Sequence, residues 1–386
     1  MLLIYSITLL AAVLLSDRFN RTVLSSAVLF LTVGFVCGPA AFGWVSTDPR
    51  QDTVLRLSDW ALVTILFSDA LRLGWRDLKH TWRLPGRALF LGLPMTVAGI
   101  AVVGRVFLGL QWTQAFLVGA ILSPTDPVFA SAIVGRAEIP ERLRHLLNIE
   151  SGLNDGLALP IVIVLMGAAG GSGEGVGSVV REAAGGLALG VAVGAIAGSL
   201  RRLRLFGVTK AAAPLHGFSA LLITYSAGTV LHLNAYLAAF GAGIALASAC
   251  RDAAKEFQTI GEPIAELLKL AAVFIFAVML SSHMPAPALP WADYLFAGLV
   301  LTFVRFIAIE LALLNGGLTR PERLTAAWFG PKGFASVVYG LMLLNSTVTG
   351  RQALFELVAL VVVMSIVLHS STDVPVAKYF ARRDTT

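Results

Sequence analysis

The stretch ILSPTDPVFA, residues 121–130, sets two prolines and an aspartate within an otherwise apolar run. Proline removes a backbone donor and clashes with the preceding helical turn, so Pro124 and Pro127 predict a break in a helix. The break leaves free carbonyl groups and the positive end of a half-helix, which can stabilise Asp126 and direct the Thr125 carbonyl towards an ion. A simpler alternative is that Asp126 only caps a half-helix.

A second interrupted run occurs at WFGPKGFASVVYG, residues 328–340, where Gly330, Pro331 and Gly333 break a helix and Lys332 adds a cation. The two interrupted runs are the fifth and the twelfth apolar runs of the chain. Because these positions differ by an odd number, the two helices are predicted to cross the bilayer in opposite directions. Paired interrupted helices in corresponding halves are typical of transporters built from inverted-topology repeats, with the binding site at the breaks.

The composition indicates an integral membrane protein. Hydrophobic residues make up 57% of the chain and charged residues 13%, with a mean hydropathy of +0.80. Soluble domains carry about 25% charged residues, so this chain has too little polar surface to coat a globule in water. Backbone groups in lipid need internal partners, so the apolar runs must be helices and the fold class is all-α.

Hydropathy predicts about thirteen transmembrane helices in a single transmembrane domain over residues 1–386, with no soluble C-terminal regulatory domain. The predicted spans are 2–15, 22–38, 54–71, 88–108, 114–135, 145–168, 179–200, 215–232, 235–249, 262–282, 290–314, 322–346 and 350–370. Alternate loops are rich in arginine and lysine, whereas the loops between them hold only Arg50, Arg105, Arg181 and Arg351. Since positive residues stay on the cytoplasmic side, the N-terminus is predicted outside and the C-terminus in the cytoplasm.

Other classes of protein lack support in the sequence. The pI of 9.6 follows from the basic loops, so no nucleic-acid partner is expected. Cys37 and Cys250 have no partners at metal-ligand spacing and are expected to be buried free thiols. Phosphate-binding glycine loops and Ser-His-Asp arrangements are absent, so the chain is expected to be neither an enzyme nor a cofactor-binding protein.

A third stretch, NIESGLNDGLALP at residues 148–160, places two acids in a run that is otherwise apolar. Residues four apart share a helix face, so Ser151 and Asp155 share one face while Glu150 and Asn154 share the face beside it. Ionisable groups inside a membrane are costly and usually face a cavity or a partner. The two acids are therefore predicted to have different roles.

A division of labour follows from the other charged residues of the apolar runs, which are Asp69, Asp126, Lys269, Arg305, Glu310 and Lys332. Arg305 is predicted to neutralise Glu150, because guanidinium stays charged and forms forked bonds with a carboxylate. Asp155 is then predicted to exchange a proton for a metal cation, since hard oxygen ligands suit such ions. Glu310 and Lys269 are expected to make only helix–helix or interface contacts.

The motifs SPTDP at 123–127, ESGLND at 150–155 and GPKG at 330–333 resemble, in order, those of monovalent cation/proton antiporters of the NhaP and sodium/proton exchanger type. The resemblance covers essentially the whole chain. It implies an inverted repeat in which two interrupted helices cross, a mobile ion-carrying core, and a second helical bundle that forms a homodimer. It also implies a secondary transporter in the plasma membrane that exchanges Na⁺, Li⁺ or K⁺ for protons.

The resemblance also implies roles for individual residues. Asp155 would bind cation and proton alternately, with Ser151 and the Thr125 carbonyl as further ligands of the metal cation. Asp126 would join through water or as a neighbour at the helix end. Asp69 lies one position after an acid of many relatives and is expected to be an additional ion ligand.

A structural network is implied beside this site. Glu150 would pair with Arg305, Asn154 would bridge the two, and Lys332, where several relatives carry arginine, would compensate the broken helix. Asn154 in place of a second aspartate resembles the electroneutral branch, which exchanges one cation for one proton. The alternatives are a proton-coupled organic anion carrier, with Lys332 and the half-helix ends holding a carboxylate substrate, and a passive channel.

Overall fold

The structure is a computed structural model that describes residues 1–16, 25–46, 52–72, 82–126, 139–170, 176–203, 207–283 and 289–383. The helices are α1 (Leu2–Leu14), α2 (Ser26–Cys37), α3 (Asp52–Leu71), α4 (Arg83–Leu108), α5 (Trp112–Leu122), α6 (Glu141–Gly170), α7 (Val176–Leu200), α8 (Ala213–Val230), α9 (Ala235–Ala249), α10 (Arg251–His283), α11 (Trp291–Leu313), α12 (Arg320–Trp328), α13 (Phe334–Asn345) and α14 (Arg351–Arg383). No β-strand occurs in these ranges.

The all-helical membrane fold predicted from hydropathy is confirmed. Each predicted span coincides with one described helix, except that the twelfth is shared between α12 and α13. In the described part of the chain, six helices are long and apolar enough to cross a bilayer, and five shorter helices are also apolar. The second half of the fifth predicted span, including Pro127, lies outside the described residues.

Several helices are longer than their apolar runs. Helix α6 begins at Glu141, α10 begins at Arg251 and α14 ends at Arg383, whereas hydropathy placed these limits at 145, 262 and 370. The extra turns are rich in charged residues, and the backbone hydrogen bonds of the helix continue through them. Hydropathy therefore predicts the apolar section of each helix and not its true ends.

Helices α4 and α11 share an unusual feature. Each contains a π-helical segment, Ala88–Gly92 in α4 and Val300–Val304 in α11. Each of these helices directly precedes one of the two interrupted spans, and the two helices pack together where a Cβ atom on Gly99 would lie 2.6 Å from Val304 Cγ1. The repeated feature in corresponding places agrees with a fold made of two related halves.

A glycine ridge joins α7 to α9. The glycines are Gly186, Gly190 and Gly194, and the carbonyl groups that face them belong to Asn234, Ala238 and Ala242. A Cβ atom on any of these glycines would overlap the carbonyl oxygen opposite it. Small residues four apart let two membrane helices approach until their backbones touch. The van der Waals contacts formed at this distance help to hold helices together in lipid.

Helix α10 packs between α2 and α14. A Cβ atom on Gly34 of α2 would lie 2.7 Å from Phe274 O, so α2 packs directly on the backbone of α10. On another side Phe276 meets Phe355 of α14, with ring centroids 5.6 Å apart. Cys37 and Cys250 are buried free thiols. The interrupted segments lie among α5, α6, α10, α13 and α14.

Candidate ion site at the helix breaks

The two interrupted spans meet at their breaks. Helix α5 ends at Leu122, and residues 124–126 are not helical. The other break separates α12 from α13. The Asp126 N–H donates to Pro331 O at 3.0 Å, and the Ser336 hydroxyl donates to Ile121 O at 2.7 Å. Backbone groups left free by one break are therefore partly satisfied by the other, which is how irregular backbone is tolerated inside a membrane.

Asp126 lies at the N-terminal end of α13. Its Oδ2 accepts the Phe334 N–H at 3.2 Å, and the side chain is only 6% exposed. A Cβ atom on Gly333 would overlap the Asp126 side chain, so only glycine lets the aspartate approach this closely. A carboxylate in this position is stabilised by the free N–H groups and the positive end of the helix.

Three polar side chains beside this carboxylate form a hydrogen-bonded cluster. The hydroxyl oxygens of Thr125 and Ser151 are 3.1 Å apart. The Asn154 amide donates to Thr125 Oγ1 at 2.7 Å. All three residues are buried. The cluster joins α6 to the first break and gathers neutral oxygen atoms, which are suitable ligands for a hard cation.

Asp155 is buried next to this cluster. It is 7% exposed, and its Oδ1 has no hydrogen-bond partner. Its carbonyl oxygen accepts the Tyr339 hydroxyl at 2.7 Å, which fixes the helix backbone but leaves the carboxylate oxygen unpaired. Among the described residues no ion pair includes Asp155. Asp69, Asp126 and Lys269 are close enough to act on it electrostatically.

Glu150 and Arg305 form a buried ion pair on the neighbouring face of α6. Arg305 Nη2 lies 2.9 Å from Glu150 Oε1, and each side chain is 4% exposed. The contact is one hydrogen bond rather than the predicted fork. Arg305 Nη2 also donates to Phe329 O at 3.5 Å, and Arg305 Nε has no hydrogen-bond partner. A Cβ atom on Gly330 would overlap the guanidinium, so this break also makes room for a side chain.

The expected role of Asn154 as a bridge within this ion pair is not what the structure shows. Its amide nitrogen bonds to Thr125, and its Oδ1 has no partner. The reason is that Asn154 and Thr125 lie close together in the folded structure. The break at Thr125 passes beside Asn154 and offers a hydroxyl oxygen, which a sequence pattern on one helix cannot reveal.

Lys332 is 1% exposed, and its Nζ has no hydrogen-bond partner. Its charge interacts with those of Arg305 and Glu150. The backbone at this break is held by α14, where the Ser365 hydroxyl accepts the Lys332 N–H at 2.7 Å. His369 adds a contact of 3.1 Å from Nε2 to Trp328 O. Sequence reasoning missed both α14 residues, although a serine and a histidine four apart in an apolar helix were a usable signal.

The three remaining charged residues of the apolar runs have different surroundings. Asp69 is 22% exposed and lies 3.8 Å from Arg72, one helical turn away. Lys269, expected to make an ordinary helix contact, places Nζ 3.5 Å from Asp126 Oδ2 and so belongs to the ion-site region. Glu310 pairs with Arg323 at 2.6 Å, away from the breaks.

Metal centres of another kind are not formed here. Among the described residues, no group of three or more histidine, cysteine, aspartate or glutamate side chains is arranged to hold a metal ion. The breaks and α6 instead bring together the carboxylate groups of Asp126 and Asp155, the hydroxyl groups of Thr125 and Ser151, and the amide of Asn154. Carboxylate and hydroxyl oxygens are suitable ligands for a hard cation, and a carboxylate can also accept a proton.

Comparison with known proteins agrees with this architecture. The family model described as "Sodium/hydrogen exchanger, transmembrane" matches residues 5–379. The chain is 26% identical over 383 residues to the K(+)/H(+) antiporter NhaP of Alkalimonas amylolytica, covering 96% of this chain and 64% of that protein. It is 36% identical over 106 residues to the low-affinity Na(+)/H(+) antiporter NhaS1 of Synechocystis sp., covering 28% of this chain and 20% of that protein.

A solved structure shows the same fold. The sodium proton antiporter MjNhaP1 from Methanocaldococcus jannaschii at pH 8 superposes with a TM-score of 0.79 at 18% identity, covering 98% of this chain and 97% of that one. The NhaP relatives are longer, since the chain spans 64% of the length of the Alkalimonas protein. A family match over nearly the whole chain nevertheless establishes the family of this protein. This multi-pass membrane protein belongs to the transmembrane sodium/hydrogen exchanger family.

Proposed function

We propose that the protein is a secondary transporter that exchanges a monovalent cation, Na⁺, Li⁺ or K⁺, for a proton across the membrane. The observation that carries the proposal is Asp155, a buried carboxylate with an unpaired oxygen beside the hydroxyl groups of Ser151 and Thr125. A buried acid without a partner is costly unless it binds something. Relatives named as K(+)/H(+) and Na(+)/H(+) antiporters support the same activity.

The mechanism is competition for one carboxylate. A proton on Asp155 removes its charge and with it most of the attraction for a metal cation. A bound cation holds the carboxylate ionised and excludes the proton. Ser151 and Thr125 then supply neutral oxygen ligands, and Asp69 and Asp126 add negative potential. The two interrupted helices run in opposite directions and meet at their breaks. A rigid movement of the helices that carry the site can therefore expose the same residues to each side of the membrane in turn.

The charge balance favours exchange of one cation for one proton. Glu150 is paired with Arg305 and Asp126 with Lys269. Asp69 lies 3.8 Å from Arg72, which is also 3.1 Å from Glu262. Asn154 carries no charge. Asp155 is therefore the acid of this group that lacks an ion-pair partner among the described residues, so one charge enters and one leaves in each cycle.

The organic anion carrier receives no support from the geometry. Its substrate would need Lys332, yet this residue is 1% exposed and shares its environment with Arg305 and Glu150. Asp155, in contrast, has no ion-pair partner among the described residues. A carboxylate substrate would therefore meet repulsion at the site that a cation finds attractive.

The decisive experiment is the variant Asp155→Asn in proteoliposomes, with proton flux followed by a dye during pulses of Li⁺, Na⁺ or K⁺. Asparagine keeps the shape of the side chain but cannot ionise, so cation-driven proton movement should fall to the level of empty vesicles. Asp252→Asn, at an exposed aspartate of α10, is the matched control and should retain full activity. Retained exchange in Asp155→Asn overturns the proposal.

We also propose a cellular membrane, an orientation and an oligomeric state for the protein. It is placed in the plasma membrane with the N-terminus outside and the C-terminus in the cytoplasm, and it forms a homodimer through the bundle away from the ion site. The distribution of basic loops supports the orientation. The glycine-packed α7–α9 pair supports a rigid second bundle, on which the exposed face of α7 includes Val180, Leu187, Val191 and Ile196.

A further inference from the structure

Lys269 on α10 lies between two acids of very different exposure. Its Nζ is 3.5 Å from Asp126 Oδ2 and 4.0 Å from Glu266 Oε2. The Asp126 side chain is 6% exposed, that of Lys269 is 14% exposed and that of Glu266 is 43% exposed. The ammonium group therefore lies within ion-pair distance of both acids, one buried at the helix breaks and one towards solvent.

The charge of Lys269 reaches the whole ion site. Besides its two neighbours, it interacts electrostatically with Asp69 and Asp155. An ammonium group is a compact point charge on a flexible stem of four carbons, and it can occupy a position that suits a monovalent metal ion. Among the described residues, this group is an ion-pair partner of Asp126.

We infer, on the basis of the proposed function, that Lys269 is a tethered competitor of the transported cation. It pairs with Asp126 while the site holds no metal ion, and it turns towards Glu266 as the ion arrives. The exchange of partners leaves the ammonium group paired with an acid at both stages. It also sets the cation concentration at which the site fills, because each binding event must displace the ammonium group.

The test is the cation concentration for half-maximal proton flux, measured separately from the maximal rate in proteoliposomes. Lys269→Gln removes the competitor and should lower the half-maximal concentration roughly five-fold, the size expected for loss of one partly exposed ion pair. Glu266→Gln removes the alternative partner and should raise it. Lys269→Arg keeps the charge and should restore a value near that of the wild type.

The double variant Lys269→Gln with Glu266→Gln distinguishes an exchange of ion-pair partners from two independent effects on the electrostatic potential of the site. If Lys269 changes partners, Glu266→Gln has no further effect once Lys269 is glutamine. Two independent charge effects would add instead. Lys255→Gln, at an exposed lysine of the same helix, is the control and should leave the half-maximal concentration unchanged.

The outcomes distinguish this inference from the proposed function. Wild-type vesicles without cation-driven proton flux overturn the proposed function and this inference with it. Active wild-type protein whose half-maximal concentration is the same in Lys269→Gln, or additive effects in the double variant, overturns only the inference. Should Lys269→Gln fail to fold, the shift expected for Glu266→Gln alone still decides, since an unchanged value there contradicts the exchange of partners.

Discussion

At the scale of the residue, five positions along α6 separate two acids with different surroundings. Glu150 is closed within an ion pair with Arg305, whereas Asp155 has a buried oxygen without a partner. Five residues correspond to more than one helical turn, so the two side chains point in different directions. One acid therefore stabilises the structure while the other remains available for an exchanging ion.

The variant Glu150→Gln tests the structural role. It leaves the Arg305 charge buried without its counter-ion, which should lower the free energy of unfolding by about 3 kcal/mol. Thermal unfolding in detergent measures the effect. Glu141→Gln on the same helix is the control, since Glu141 forms only an exposed pair with His145 and its loss should be worth well under 1 kcal/mol. Equal unfolding temperatures for the two variants would contradict the assigned role.

At the scale of the element, glycines decide where helices approach and where breaks accept a side chain. Gly330 and Gly333 make room for Arg305 and Asp126 at the second break. The glycines of α7 serve a different purpose, because they bring two continuous helices into backbone contact. The same residue type thus accommodates side chains at a helix break in one place and close helix packing in another.

The variant Gly190→Val tests the glycine ridge. A side chain at this position must displace the backbone of α9 at Ala238, so the variant should be destabilised by ~2 kcal/mol or more. Unfolding followed by loss of soluble, monodisperse protein on heating measures the change. Gly177→Val, near the start of α7, is the control because a Cβ atom there meets no atom within 4 Å. A stable Gly190→Val protein would show that α7 and α9 pack less closely.

At the scale of the whole molecule, contacts between distant loops agree with the topology inferred from charge. Gln114 donates to Thr349 O at 3.0 Å, and both residues adjoin loops assigned to the outside. Arg142 donates to Gly317 O at 3.0 Å, and both belong to loops assigned to the cytoplasm. Contacts of this kind support an arrangement in which each group of loops lies on its own side of the membrane.

Single cysteines test the orientation in intact cells. Thr349→Cys should react with a membrane-impermeant maleimide added outside, whereas Arg202→Cys should react only after permeabilisation. Both positions are exposed, and the native Cys37 and Cys250 are buried, so the wild type provides the background. The reverse labelling pattern would place the N-terminus in the cytoplasm.

The sequence by itself determined the architecture and the main candidate residues. Long apolar runs in lipid leave the backbone no stable choice but helices, and proline or glycine must interrupt them. The thirteen predicted spans, the two interrupted runs and the residues at 125, 126, 150, 151 and 155 follow from such local rules. So does the partner of Glu150, because a buried acid in lipid requires a buried cation and Arg305 was a suitable choice.

Only the tertiary structure decided which groups meet across the breaks. Asn154 turned out to bond Thr125 rather than the ion pair, Lys269 reached Asp126 from a helix that carried no motif, and α14 supplied Ser365 to hold the backbone at Lys332. Periodicity along one helix states which side chains share a face. It contains no information about the distance from that face to a segment elsewhere in the chain, and that distance is set by how the helices pack.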